Sequence, residues 1–182
     1  FLKAFPDVDV DVRRAFSFGG LQALHGYDID ILLTPDPLSL DTITYTPVFE
    51  YEQVLVMDEH HPLAEKPYIA PQDLSNETLI TYPVELSRLD VFTHFLTPAN
   101  CTVRQHKTIE TTEIILQMVA AGRGVTALPK WLIDESKESD LLTCRSLGEQ
   151  GVSKTLYLGH RKAQDVLGFV DDFIALSQTH KP

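Results

Sequence analysis

The chain has 182 residues, 15 Lys+Arg against 26 Asp+Glu, a formal net charge of −11 and 43% hydrophobic residues. That length and apolar content support one large domain or two small lobes with packed cores. They exclude intrinsic disorder, and no apolar run reaches the roughly 18 residues of a membrane-spanning helix. An isoelectric point near 4.9 excludes autonomous nucleic-acid binding, because phosphate contacts require clustered Lys and Arg.

From the first residue, Phe1, Leu2 and Phe5 fall at i, i+1 and i+4, the tail of a helix. Val8, Val10 and Val12 then alternate with Asp7, Asp9 and Asp11, as in a strand with one polar face. A first strand preceded by a helix tail, with no initiator Met, leads us to expect a missing N-terminal strand upstream. Residues 1–6 show no secretory leader pattern. Two cysteines, Cys101 and Cys144, fit a reducing compartment, so a cytoplasmic location is expected.

Ser17-Phe18-Gly19-Gly20 leads into a helix marked by Leu21 and Leu24 and closed by Gly26 as a left-handed cap. Ile29 to Leu33 is a near-continuous apolar run, the pattern of a parallel strand covered on both faces. This β-α-β order predicts a right-handed crossover in an α/β sheet. Two strands follow, Ile43–Val48 and Glu52–Met57, and residues 58–78 are rich in turn formers. Leu79 to Tyr82 predicts a strand. Ser87 caps a helix with apolar face Val91, Phe92, Phe95 and Leu96, ended by Pro98. Val103–Thr108 predicts the next strand, and Thr111 or Thr112 caps a helix carrying Ile114, Ile115, Met118 and Val119 that stops at Gly122. Gly124–Pro129 predicts a short buried strand, and Leu141–Leu147 and Thr155–His160 two more. Val166, Leu167, Val170, Phe173 and Ile174 give the last helix an amphipathic stripe.

The simplest architecture is two Rossmann-like α/β lobes, the second inserted into the first. Lobe I takes residues 1–57 and 130–182 and lobe II residues 58–129, with strands near 52–57 and 124–129 as the two crossings. Open α/β sheets bind ligands at the carboxyl ends of their strands, so two such lobes face one another across a ligand cleft and the crossings form a hinge.

Catalytic motifs are missing: there is no GxSxG, HExxH, CxxC, GxGxxG or GxxxxGK[ST]. Asp58-Glu59-His60-His61 reads as a solvated turn, since adjacent loop residues rarely converge on one ion and Pro62 follows. His25, His94, His106 and His160 are scattered singly, and neither cysteine has a base nearby in sequence. Ser87 with Asp90 reads as a helix cap. No enzymatic activity, cofactor or metal is expected.

Binding chemistry is better represented. The two helix starts at Ser87 and at Thr111-Thr112 offer N–H groups and a partial positive charge suited to a carboxylate. Arg88, in the first turn of one, calls for an anionic partner: Asp90, a ligand or another subunit. Glu110 is either a partner for a ligand ammonium or an ordinary capping residue. Tyr82 with Pro83 supplies either an aromatic wall or a core ring with a wet hydroxyl. A zwitterionic amino acid suits this set.

Three runs carry a family resemblance. Leu21-x-x-Leu24-x-Gly26-x-x-Asp30-Ile31-Leu32, His61-Pro62-Leu63-Ala64 and Val119-Ala120-Ala121-Gly122-x-Gly124-Val125-x-x-Leu128-Pro129 together resemble the effector-binding domain of LysR-type transcriptional regulators. Tyr82-Pro83-Val84, Ser87 to Val91, His94-Phe95-Leu96 and Leu116 to Ala121 resemble the branch that regulates methionine biosynthesis. The resemblance implies a periplasmic-binding-protein-like (type 2) fold and homocysteine as co-regulator. It further implies homodimers paired side by side, tetramers of the intact regulator, promoter DNA contact through an absent N-terminal winged helix-turn-helix, contact with RNA polymerase, and no membrane. A solute-binding protein for an amino acid shares the architecture and stands as the alternative.

The candidate effector-binding residues are therefore Ser17, Phe18, Thr34, Tyr82, Pro83, Arg88, Glu110, Thr111 and Thr112. Helix N–H groups and the Thr111 and Thr112 hydroxyls take the carboxylate. Glu110 takes the ammonium, and Phe18, Pro83 and Val84 form the apolar wall.

Overall fold

The computed structural model describes residues 1–13, 19–38, 40–134, 136, 139–162 and 168–179. Within them the chain forms two compact units, Phe1–Glu50 with Thr155–Pro182, and Tyr51–Lys154. These divisions at 50/51 and 154/155 differ from the 57/58 and 129/130 of the sequence reading. The reason is pairing: residues 125–129 and 142–146 both hydrogen-bond to the stretch 53–58, which draws them into the second unit's sheet.

In the first unit, α1 (Gly20–His25) leads to β1 (Ile31–Thr34), and β2 begins at Ile43. β7 (Val152–Arg161) runs antiparallel to β1, with Ile31 opposite His160 and Thr34 opposite Tyr157. The expected parallel strand is thus antiparallel, and Leu33 on it is 59% exposed rather than covered on both faces. Helix α4 (Gly168–Thr179) lays Val170 and Ile174 on Leu158, with Phe173 and Val48 around them; Val166 and Leu167 lie outside the described residues, as do Ser17 and Phe18.

Two local expectations in this unit are corrected. Residues 8–13 form no strand, and Val12 is 81% exposed. Alternation describes a strand's faces, but its aspartates compete for the backbone: Asp9 accepts from the Val10 amide at 2.9 Å, and Asp11 instead holds Arg13 at 2.7 Å. Gly26 is right-handed (φ −75°), and the left-handed residue is Tyr27 (φ 63°). Arg161 explains why a tyrosine is held there. Its guanidinium stacks 4.3 Å from the Tyr27 ring centroid, while donating to the Leu24 and Ile29 carbonyls at 2.7 Å and to Asp30 at 2.8 Å.

The predicted pair of strands at 43–57 is one continuous strand, β2 (Ile43–Asp58), with Pro47 exposed within it. Pro lacks a donor and is tolerated where a strand position faces solvent.

The second unit's sheet has strand order β6-β2-β5-β3-β4, with β3 (Thr78–Thr81), β4 (Gln105–Thr108), β5 (Val125–Pro129) and β6 (Leu142–Ser146). β3 is parallel to both β4 and β5, whereas β2 is antiparallel to β5 and β6. Period-2 alternation sorts the side chains. Leu55, Met57, Leu79 and Val125 share a cluster with Ile69, Leu74, Val91, Phe95 and Leu96. Val54, Val56, Ile80 and Leu128 share the other with Ile115, Leu116 and Val119 of α2 (Thr112–Ala120) and Ile133 of α3 (Lys130–Asp134).

No helix starts at Ser87. Leu86–Arg88 is a single 3-10 turn, and Val91–Leu96 is wound as a π-helix preceded by Asp90. The Ser87 hydroxyl reaches Glu85 at 3.5 Å instead of capping. Asp90 Oδ1 receives Lys154 Nζ at 2.8 Å and His94 Nδ1 at 3.2 Å, so its carboxylate pins this segment to the start of β7 rather than pairing with Arg88.

α2 stops where the sequence predicts. Gly122 adopts φ +66°, and the Gly122 and Arg123 amides bond back to the Val119 and Met118 carbonyls at 2.9 Å, a Schellman closure. Two residues on, Gly124 has φ +152°, and a Cβ there would meet the Thr78 carbonyl oxygen at 2.4 Å. Gly124→Ala is expected to cost about 2–3 kcal/mol through strain and collision at the β3–β5 junction, measured as a lowered urea midpoint with an unchanged m-value.

Candidate functional site

In the second unit the parallel run of β4, β3 and β5 brings the carboxyl ends of three strands to one edge of the sheet. Tyr82 follows β3 directly, and α2 begins four residues after β4. The Ile109 amide donates to the Thr81 carbonyl at 2.9 Å, extending the β3–β4 ladder one step past the strands. That step places the Tyr82 hydroxyl 2.7 Å from Thr112 Oγ1, the first residue of α2. Either oxygen can donate.

Behind this pair lies a second layer. Thr81, 4% exposed, donates its hydroxyl proton to the Tyr82 carbonyl at 3.0 Å, and its oxygen sits 2.7 Å from His106 Nε2. The Thr81 hydroxyl has a single proton, so its donation to the Tyr82 carbonyl goes together with the Nε2–H tautomer of His106. The Val84 amide also donates to the Tyr82 carbonyl, at 2.9 Å, so this oxygen is doubly capped where the strand turns away.

Burial sets the protonation states. It pushes the Tyr82 phenol up from its ordinary value; the Thr112 bond opposes this and nearby Glu113 adds to it. Burial pushes His106 down, toward the neutral ring.

α2 supplies the helix start the sequence predicts at Thr111-Thr112. Thr111 is the N-cap residue, with its hydroxyl making no cap bond, and the first intrahelical bond runs from Ile115 N–H to the Thr111 carbonyl at 3.1 Å. The amides of the first turn therefore have no acceptor within the helix. Glu110 and Thr111 are exposed beside it, and Pro83 is exposed next to Tyr82. The structure thus groups Tyr82, Pro83, Glu110, Thr111 and Thr112. Arg88 sits apart, exposed on the 3-10 turn, and the first-turn position inferred for it does not exist. Thr34 ends β1 in the first unit, where its hydroxyl accepts from the Asp36 amide at 3.1 Å. Ser17 and Phe18 lie outside the described residues.

Thr81 and His106 are the residues sequence reading misses here. Thr81 adjoins the selected Tyr82, but a lone His on a four-residue strand carries no pattern that assigns it a partner. Gln53 on β2, opposite Pro129 of β5, donates to the Ala127 carbonyl at 3.4 Å while its Oε1 is buried without a hydrogen-bond partner among the described residues.

The His61-Pro62-Leu63-Ala64 run serves the scaffold. His61 Nδ1 accepts from the Leu63 amide at 3.2 Å, His61 Nε2 faces Glu77 at 3.4 Å, and the Ala64 carbonyl receives Arg145. Asp58 meanwhile accepts from the His60 amide at 2.9 Å, and the exposed His60 Nε2 lies 3.7 Å from Glu59, while His61 turns to Glu77, so the four side chains do not converge on one point.

Comparison with known proteins agrees with this architecture. The family model described as the LysR substrate binding domain matches residues 1–181, and the chain belongs to that family, which comprises effector-binding domains of transcriptional regulators rather than enzymes. Among its relatives, the HTH-type transcriptional regulator MetR of Escherichia coli (strain K12) is 37% identical over 180 residues, 99% of this chain and 56% of the relative. MetR of Salmonella typhimurium (strain LT2) is 36% identical over the same shares. The chain thus spans about half the length of the curated relatives it matches. The regulatory domain of MetR from N. meningitidis superposes with a TM-score of 0.81 at 28% identity, covering 98% of this chain and 82% of that one. The regulatory domain of CcmR from Synechocystis superposes with a TM-score of 0.83 at 19% identity, a likeness of fold alone. No described helix is long and apolar enough to cross a membrane.

The Tyr82–Thr112 bond has a measurable signature. The phenol's folded pKa is raised, so its contribution to stability is whole below about pH 10 and is lost as pH rises through the folded value. Tyr82→Phe is expected to lose about 1 kcal/mol at neutral pH, and its gap from the unsubstituted chain to narrow above about pH 10. Urea unfolding across that range measures both.

Proposed function

We propose that this chain is the effector-sensing domain of a regulator of methionine and sulfur amino-acid biosynthesis genes, and that its effector is homocysteine. The observation that carries the site is the junction of β3 with α2. There the Tyr82 and Thr112 hydroxyls meet at 2.7 Å beside a helix N-terminus, with the Glu110 carboxylate exposed two residues before. First-turn amides and the threonine hydroxyls bind the carboxylate, Glu110 pairs with the ammonium, and Pro83 and Val84 face the thiol-bearing tail. The runs shared with the methionine branch support homocysteine as the amino acid.

The intact regulator acts as a homodimer or tetramer in this reading. DNA contact and any contact with RNA polymerase belong to protein outside these residues and to the assembled oligomer, in keeping with the domain's own net charge of −11. The effector alters the geometry of the DNA-bound oligomer only in proportion to its differential affinity for the two arrangements.

Isothermal titration against L-homocysteine, methionine, cysteine and homoserine tests the reading. Homocysteine is expected to bind selectively and, at 100-fold its dissociation constant, to add ~2.7 kcal/mol of stability. Thr112→Val and Glu110→Gln are each expected to weaken it about tenfold. Absence of binding by all four amino acids overturns the effector, and unchanged affinity in both variants overturns the site.

A further inference from the structure

Tyr82 is held at both ends, its backbone carbonyl by Thr81 backed by His106 and its phenol by Thr112. His106 Nε2 lies 2.7 Å from Thr81 Oγ1, the Thr81 hydroxyl donates to the Tyr82 carbonyl at 3.0 Å, and the Tyr82 phenol meets Thr112 at 2.7 Å. Each step is constrained. The Thr81 side chain is buried, so its single proton and its lone pair are both committed inside the protein. The His106 ring is held in turn by the edge of Phe92, with centroids 5.2 Å apart and planes at 69°.

We propose that His106, through Thr81, is the positioning residue that holds Tyr82 against the start of α2 and so sets the geometry of the effector subsite; this rests on the site reading given above. His106 does not touch the effector. It anchors the backbone oxygen of the residue whose ring does, and two β-strands transmit that placement, because His106 lies on β4 in register with Leu79 on β3. A histidine suits the task because its Nε2–H reaches across the ladder while its ring packs under Phe92. Leu can copy the packing but not the bond. Gln can copy the bond with its side-chain amide.

A first measurement needs no effector. In the chain labelled with 13C at the tyrosine ζ carbons, and with the Tyr82 signal assigned by its loss in Tyr82→Phe, the phenol titration reports whether the ring stays packed at α2. The unsubstituted chain and His106→Gln are expected to titrate above the ordinary tyrosine value. His106→Leu and Thr81→Val are expected to fall back toward about 10 as the ring leaves its berth. Urea midpoints of the same variants separate a general loss of fold from a local one. A His106→Leu chain that unfolds normally but keeps the raised Tyr82 titration overturns the proposal, as does a His106→Gln chain that behaves like His106→Leu.

The second measurement is affinity for L-homocysteine. His106→Leu and Thr81→Val are each expected to weaken it about tenfold. Their combination is expected to be no worse than either alone, because both cut the same series. Additive losses overturn the relay. If the unsubstituted chain fails to bind L-homocysteine, the effector assignment falls while the phenol titration still decides whether His106 positions Tyr82.

Discussion

The second unit is organised by the close parallel seating of β3 between β4 and β5. All four β3 residues are buried, and the junction is tight enough that the residue before β5 must be glycine, with the Thr78 carbonyl where a Cβ would stand. Parallel neighbours send their carboxyl ends to the same edge, so one packing constraint brings the end of β3, the turn after β4 and the start of α2 into one place. The polar groups used there are otherwise ordinary: a tyrosine, two threonines, a glutamate and a histidine. Their chemistry comes from being forced together where backbone amides are left unpaired.

That constraint also accounts for what can be read in the amino-acid order. Gly122 and Gly124 bracket the α2–β5 turn with φ values of +66° and +152°, and the helix stop at Gly122 and the short strand Val125–Pro129 are legible from them. Thr111 and Thr112 announce a helix start, and one forms. The π-wound segment 91–96 is not legible, because its apolar spacing fits an α-helix equally well. What distinguishes it is Asp90, held by Lys154, 64 positions away in the chain, at 2.8 Å. No local pattern records a partner that distant. Val8 to Val12 fail for the opposite reason: a local pattern is present and no partner strand takes it up among the described residues.

The site divides in the same way. Tyr82, Pro83, Glu110, Thr111 and Thr112 are visible because strand ends and helix starts are visible, and because each residue type fits an amino-acid ligand. Thr81 and His106 are invisible because their importance lies in register. Thr81 faces Thr108 across the ladder and His106 faces Leu79, so the imidazole meets the hydroxyl on a diagonal that exists only once the parallel pairing is fixed. Arg88 is the converse: selected for a helix terminus, it finds itself on a turn because the helix does not begin there.

The hydroxyl pair at the head of α2 has a property that a single threonine lacks. Either the Tyr82 or the Thr112 oxygen can donate, so one proton bridges the pair and the other stays free, and rotating the two hydrogens exchanges which oxygen donates outward with no heavy atom moving. A carboxylate needs the donor and an ammonium the acceptor. Which one is offered depends on the charge nearby, and here the helix start is positive while Glu110, two residues earlier, is negative. A phenol is protonated at neutral pH, and burial moves Tyr82 further in that direction, so it can act in both senses there. His106, held neutral by burial and donating through Thr81, adds no charge to that balance while steadying the backbone that carries the ring. In the site proposed above, the zwitterionic head is therefore read by hydroxyl orientation as well as by charge. That head is common to all α-amino acids, so separating one from its close analogues falls to the groups that face the side chain.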